Sequence, residues 1–293
     1  MEYSKNYATV GEETSRFTNF LVNLRLAEKR NVEEASVNGT AVHGITKFFD
    51  LSQEEFAARY LKADVSMRTG SAPVMTVSTP VDASLGLVDW SGKLTTPVKD
   101  QGYCGSCWAF SASEQIESDV IRQLGVTYLL SAEQIVQCDT TSYGCSGGWT
   151  ENAYNYVKKA GGIEQESDYP YSSYQGTTGR CSVNAGKEVI AVNGYTTIRG
   201  ESNMASYVQT TGPLSICIDA NNWSSYKGGV LSACGKSVDH CVQVVGVDTS
   251  AGYWKVRNSW GTSWGESGYI RLAYGQNTCA ITNDPTWVSV SKK

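Results

Sequence analysis

Cys107 opens a run to Leu124 in which Phe110, Ile116, Val120, Ile121 and Leu124 recur at helical spacing before Gly125. The spacing predicts a helix with a thiol at its first turn. A thiol attacks a carbonyl carbon only as the thiolate, and an ordinary cysteine near pKa ~8.5 is mostly protonated at neutral pH. Unsatisfied N–H groups and the dipole at a helix N-terminus favour the anion, and a nearby imidazolium would favour it further. The chain has two histidines, His43 and His240. Other readings stay open at this level: the pair Cys104/Cys107 is spaced like a redox or structural C-x-x-C, and a lone histidine before a β-prone run is often a core residue. Scarce histidine and the lack of paired C-x-x-C knuckles predict no metal and no cofactor.

The elements that must position these groups divide the chain. Its 293 residues are 41% hydrophobic and 18% charged, enough to bury a substantial core. A net charge of -5 gives no basic field for nucleic acid or an anionic membrane surface, so neither partner is expected. No apolar run approaches the roughly 20 residues of a membrane span. All nine cysteines and all eight tryptophans lie at or beyond Trp90. Before them, Phe17, Phe20, Leu21 and Leu24 mark an amphipathic helix within Thr14–Asn31, and Ser52 with Glu55 forms a capping-box signature for a second. Residues 64–83, with Pro73 and Pro80 and no period, read as an extended connector. After Cys107–Leu124, residues 131–138 and 150–160 read as shorter helices. Beyond Val189, residues 214–218, 242–247, 253–256 and 269–272 read as strands.

Gln101-Gly102-Tyr103-Cys104-Gly105-Ser106-Cys107-Trp108 contains the C-G-[SA]-C-[WY] pattern of papain and cathepsins, and His240 and Asn258 fall roughly 130 and 150 residues further on, where that family has its His and Asn. Asn258-Ser259-Trp260-Gly261 matches as well. The chain resembles the papain-family cysteine peptidases over most of residues 85–293. The resemblance implies an α+β fold with a helical left domain (about 84–188), a β-barrel-like right domain (about 189–293) and an active-site cleft between them. It implies Cys107 as nucleophile, at a pKa of about 3 to 4 in papain-like sites, and His240 as general acid and base. Asn258 would orient the imidazole, with the Gln101 amide and the Cys107 N–H as oxyanion hole. Trp108, Trp260 and Asp239 would support the site.

Glu12, Arg16, Phe20, Asn23 and Asn31 follow the ERFNIN pattern of cathepsin L-like propeptides, with Ala27 and Asn19 as departures. Gly44, Phe48 and Asp50 fall in a segment resembling the GNFD motif, with Thr46 replacing its Asn. The resemblance implies a zymogen: an inhibitory prodomain over 1–83, whose connector 64–83 crosses the cleft against the substrate direction, and a catalytic domain over 84–293. Protonation of Glu12, Glu13 or Asp50, breaking pairs with Arg16, is the expected acid trigger, and His43 is expected on the prodomain surface.

Family resemblance pairs Cys104 with Cys145, Cys138 with Cys181 and Cys234 with Cys279, each closing a loop worth roughly 4 kcal/mol. Cys217 and Cys241, uncommon in the family, are expected to form a fourth bridge beside the S2 pocket, or else two buried thiols. Gly147, Gly148, Trp149, Thr150, Cys217, Cys241 and Asp284 are the expected substrate-binding residues, with a hydrophobic P2 preference and some acceptance of Arg or Lys at Asp284. One histidine in the catalytic part leaves no histidine pair of the cathepsin B type, which favours endopeptidase action. The expected protein is a monomeric cathepsin L-like zymogen acting on proteins and peptides, lysosomal, vacuolar or secreted. No basic segment followed by an apolar run opens the chain at Met1, and Asn38 and Asn222 lie in glycosylation sequons. The competing readings are a catalytically silent papain-fold binding or inhibitory protein and a papain-fold acyltransferase.

Overall fold

The computed structural model describes Tyr3 and residues 5–293. Helix α1 (Val10–Ser36) begins where the Thr9 hydroxyl accepts the Glu12 N–H, with Glu12 and Glu13 against the positive end of the dipole. The helix runs several residues beyond Thr14–Asn31 at both ends. Its buried stripe is mostly polar, with Asn23, Arg30 and Glu34 beside Ala27. These side chains grip backbone. Asn23 donates to the carbonyls of Phe49 and Leu51 at 2.9 and 2.8 Å, and Asn31 makes two hydrogen bonds with the His43 backbone. Asn19, a departure from the propeptide pattern, donates to the Asp50 carbonyl. Strand β1 (Val42–His43) and helix α2 (Gln53–Tyr60) are thereby fixed to α1, and α2 has the full Ser52/Glu55 capping box, a feature worth about 1 kcal/mol.

Residues 64–83 are more ordered than their sequence suggests, with a 3-10 turn at Val65–Met67 and strand β2 (Val74–Met75). The remaining chain contributes β3 (Val88–Asp89), α3 (Cys107–Leu124), α4 (Ala132–Cys138), α5 (Thr150–Ala160), β4 (Ile163–Glu164), β5 (Glu188–Ile198), α6 (Glu201–Thr210), β6 (Leu214–Ile218), β7 (Tyr226–Gly228), β8 (Val230–Leu231), β9 (His240–Asp248), β10 (Tyr253–Arg257), β11 (Tyr269–Ala273) and β12 (Thr286–Lys292). A ten-stranded sheet runs β2-β5-β12-β6-β9-β10-β11-β8, with β3 on β9 and β4 on β5. Helix α6 went unread because Ser, Asn and Thr dilute its pattern, yet Met204, Ala205, Tyr207 and Val208 are buried.

Helix α3 is buried from Cys107 to Val120 and ends at Gly125, whose φ of 66° forms the left-handed C-cap the sequence predicts. It packs between the other helices and the sheet strands β6, β9 and β12. Four disulfides are present: Cys104–Cys145, Cys138–Cys181, Cys217–Cys241 and Cys234–Cys279. The third joins residues directly opposite in the β6–β9 register. Cys107 is the free cysteine.

The N-terminal segment joins this body as a packed layer. β1 pairs with β7, Val42 opposite Gly228 and His43 opposite Tyr226, and Phe48, Phe56 and Tyr60 share one hydrophobic core with Trp223, Trp260 and Trp264. His43 therefore does not lie on the surface. It is 4% exposed, under β1–β7 pairing and against Ser225.

Candidate active site

The N-terminus of α3 holds Cys107 with no exposed surface. At the start of β9, the Nε2 of His240 lies 2.8 Å from Asn258 Oδ1, which also accepts the Ser259 N–H. An oxygen already accepting one N–H fixes the roles. Nε2 carries the proton and Nδ1 is left with a lone pair. The Trp260 ring stacks 4.8 Å from the His240 ring, tilted by 31°, and Trp223 approaches edge-on at 6.1 Å. Both indoles are fully buried. They exclude water from the His240–Asn258 bond, which strengthens it.

Gln101 is placed by two contacts: its Oε1 accepts the Ser259 hydroxyl at 2.7 Å, and its Nε2 donates to the Cys104 carbonyl at 2.9 Å. The same nitrogen is 3.5 Å from the carbonyl of Tyr60, at the end of α2. Trp108 donates to the Gly144 carbonyl, and its indole leaves no room for a Cβ at Gly148. The Asp239 carboxylate is turned away from the imidazole: it accepts the Ala220 N–H and the Asn221 side-chain amide, fixing that loop. Burial, opposed by the Ala220 bond, pushes its pKa up to about 7. Its role is to hold the loop beneath the site.

The chain lies against the cleft from Tyr60 on, a few residues before the expected connector 64–83, and stays there as far as Arg68. Leaving α2, the chain gives the Ala63 N–H to the Asp239 carbonyl, accepts the Gly148 N–H at Lys62 O, and returns the Asp64 N–H to Gly148 O. The Ala63–Gly148 bridge is parallel. Gly147, at φ 127°, allows this approach, since a Cβ there would lie 2.6 Å from Lys62 O. The Lys62 backbone N–H lies on the Cys107 side of this segment and favours the thiolate form. The remaining stretch to residue 83 leaves the cleft along α5 and the sheet edge, where β2 pairs with β5.

Under this cover burial favours the neutral forms of Cys107 and His240. Burial pushes the Cys107 thiol up to about 11, against backbone N–H bonds from Cys241, Lys62 and Trp108. Burial likewise pulls His240 down to about 4, despite its bond to Asn258 and the nearby Tyr60 carbonyl. The thiolate–imidazolium pair expected at a pKa of about 3 to 4 is thus absent from the covered state. Desolvation penalises each charge.

The pocket beyond Gly148 brings together the other expected residues. Trp149 Nε1 donates to Asp284 Oδ2 at 2.7 Å, and Thr150 Oγ1 lies 3.8 Å from Cys217 Sγ of the bridge to Cys241. No motif marks Glu151, which also lies here. It is the second residue of α5, its side chain is fully buried, and it binds Arg68 of the connector at 2.6 Å.

In the prodomain, Arg16 pairs with Glu55 at 2.7 Å and donates to the Asp50 carbonyl. The expected partners differ: Glu12 accepts the Ala8 N–H, and Asp50 meets Lys5 and the Tyr7 hydroxyl. Glu55, in the first turn of α2, takes the guanidinium, while Glu12, four residues before Arg16, is engaged by the Ala8 N–H. Phe20 meets Phe49 edge-on, Gly44 donates to Ser225 O, and Phe48 lies 5.3 Å from Trp260.

Residues 86–289 match the papain family cysteine proteases, and residues 1–56 match the cathepsin propeptide inhibitor domain (I29). The chain belongs to the papain family. Among papain-family relatives, it is 40% identical over 296 residues to cysteine proteinase B of Leishmania mexicana, covering 97% of this chain and 66% of that protein. The chain thus spans just under two thirds of that relative's length. Cathepsin L 2 of Paramecium tetraurelia is 38% identical, with 98% of this chain and 89% of that protein covered. Digestive procathepsin L 3 of the Tenebrio molitor larval midgut superposes with a TM-score of 0.85 at 32% identity, over 98% of this chain and 95% of that one. This papain-family chain therefore has the proenzyme arrangement, prodomain included. Among the described residues no helix is long and apolar enough to cross a membrane.

Proposed function

We propose that the chain is the zymogen of a cathepsin L-like cysteine endopeptidase. The observation that carries this reading is a single free thiol, Cys107, at the N-terminus of α3, together with an imidazole whose tautomer is set by Asn258. With the prodomain gone, water and the helix dipole stabilise the Cys107 thiolate, and Nδ1 of His240 takes its proton. The thiolate adds to the peptide carbonyl, and the oxyanion is met by Gln101 Nε2, freed from the Tyr60 carbonyl, and by the Cys107 N–H. Each such donor is worth roughly 3 kcal/mol. The imidazolium protonates the leaving amine, and neutral His240 then activates the water that clears the acyl-enzyme. Gly148 offers its N–H and C=O to an extended substrate, as it does to the prodomain, and Trp149, Thr150, the Cys217–Cys241 bridge and Asp284 line the P2 pocket.

The prodomain (residues 1–83 in this reading) is the inhibitor, removed under acid in a lysosomal, vacuolar or extracellular setting; four disulfides fit such an oxidising compartment. The acid-treated protein should hydrolyse a dipeptidyl fluorogenic amide and be silenced by an epoxide thiol reagent, and Cys107→Ser should be inert. Hydrolysis by Cys107→Ser at the wild-type rate would end the proposal.

A further inference from the structure

His240 stands on the last rung of a strand ladder. It opens β9 opposite Ile218, the final residue of β6, and beyond this pair the two strands give way to loops. The rung before it is Cys217 opposite Cys241, both without exposed surface. Both backbone N–H groups of that rung are spent elsewhere: Cys217 donates to the Asn283 carbonyl, and the Cys241 N–H is turned to Cys107, where it favours the thiolate form. The sulfur bridge joins the strands there. Helix α3 is tied to the same place. One turn after Cys107, the Ser111 hydroxyl donates to the Val242 carbonyl at 2.7 Å and lies 2.7 Å from the Ser215 hydroxyl. A further brace comes from Ala63, whose N–H binds the Asp239 carbonyl next to His240. That brace belongs to the prodomain and leaves with it.

We infer that the Cys217–Cys241 bridge is a positioning element of the reaction, holding His240 and the Cys241 N–H in place beside Cys107 once the Ala63 brace has gone. This rests on the peptidase reading above and gives the bridge a part in the chemical step, in addition to lining a pocket. The end of a two-strand ladder opens at little cost in free energy. Beyond the bridge, the Asp239 N–H on the Ile218 carbonyl is the last backbone bond between β6 and β9, so without the covalent link the His240 rung frays. The link one residue further in removes that freedom on the strand side, as Ser111 does on the helix side. One rung and its neighbour thus carry two parts of the machinery, the imidazole and a donor to the sulfur. Misplacing reacting groups by about 1 Å costs on the order of a hundredfold in rate, so a partial drift of this rung is enough to be seen. A bridge that lined a pocket alone would change how tightly substrate is held; one that sets the Cys107–His240 pair changes its ionisation and its turnover.

The test compares processed wild type with the processed double variant Cys217→Ala, Cys241→Ala on one dipeptidyl fluorogenic amide, with rates referred to the thiol titrated by an epoxide reagent. In the variant kcat should fall on the order of tenfold while KM changes by less than about twofold. The acidic limb of kcat/KM should move to higher pH, because the thiolate loses a fixed donor and the imidazolium its fixed place. An acidic limb that stays where it is in wild type, or a loss confined to KM, would overturn the inference. Should the alanine pair fail to fold, Cys217→Val with Cys241→Ala fills much of the space left by the sulfurs and is read by the same two measurements. Absence of cleavage by wild type would instead count against the peptidase reading.

Discussion

Arg30 and His43 converge on one hydroxyl: Arg30 Nη1 donates to Ser225 Oγ at 2.8 Å, and His43 Nδ1 lies 2.9 Å from the same oxygen. Arg30 is otherwise bound by Ser224, Gln53 and the Asn221 carbonyl, and no carboxylate pairs with it among the described residues. A neutral His43 accepts the Ser225 proton. A protonated one would place a second cation beside the first.

Acid should loosen the prodomain here. Burial and then the Arg30 charge pull His43 down to about 4 from its ordinary 6.5. The sign follows: the neutral imidazole contributes docking that is complete above pH ~6.5 and is lost as the pH falls toward about 4. Glu34 works the other way, since burial raises its pKa. Cleavage of the zymogen by added mature enzyme should be on the order of tenfold slower for His43→Gln than for wild type at pH 4.5, and equal at pH 7.5. Equal ratios at both pH values would remove His43 from the trigger.

The covered thiol should be unreactive. With Cys107 raised to about 11, alkylation of the intact zymogen by iodoacetamide at pH 6 should be at least a hundredfold slower than that of the processed enzyme, a difference that stopped-flow or mass spectrometry resolves.

Cysteine accounting gives a third expectation. Denatured without reductant, the chain should take up one alkyl group, at Cys107, and after reduction nine. Three groups before reduction would show that Cys217 and Cys241 are unbridged in solution.

Phe48 is 2% exposed and touches Phe56, Tyr60 and Trp260. Phe48→Ala should cost about 3 kcal/mol. The zymogen should melt several degrees lower by calorimetry and leak activity at neutral pH. An unchanged melting temperature would show that the prodomain docks without this contact.

Much of this was legible in the sequence. Helix α3, the Ser52/Glu55 cap and the strands after Val189 follow from periodicity, capping chemistry and β propensity, and the Cys217–Cys241 bridge, one of two readings for those thiols, from the papain resemblance. What escaped depends on groups far apart in the chain. Periodicity of Glu151 on α5 says nothing of Arg68, 83 residues earlier. Nor does a two-residue strand such as β1 announce that it will pair with β7 and bury His43. The motif likewise describes an uncovered site, whereas burial in the covered chain pushes Cys107 up and His240 down.

No disulfide reaches the prodomain, because every cysteine lies beyond Trp90. A single cut in the exposed stretch after Arg68 would turn a tethered inhibitor into a separate molecule. Before the cut, the prodomain faces the cleft at the millimolar effective concentration typical of a short tether. Afterwards it is present only at its bulk concentration, so dilution alone completes release and the switch becomes irreversible in practice.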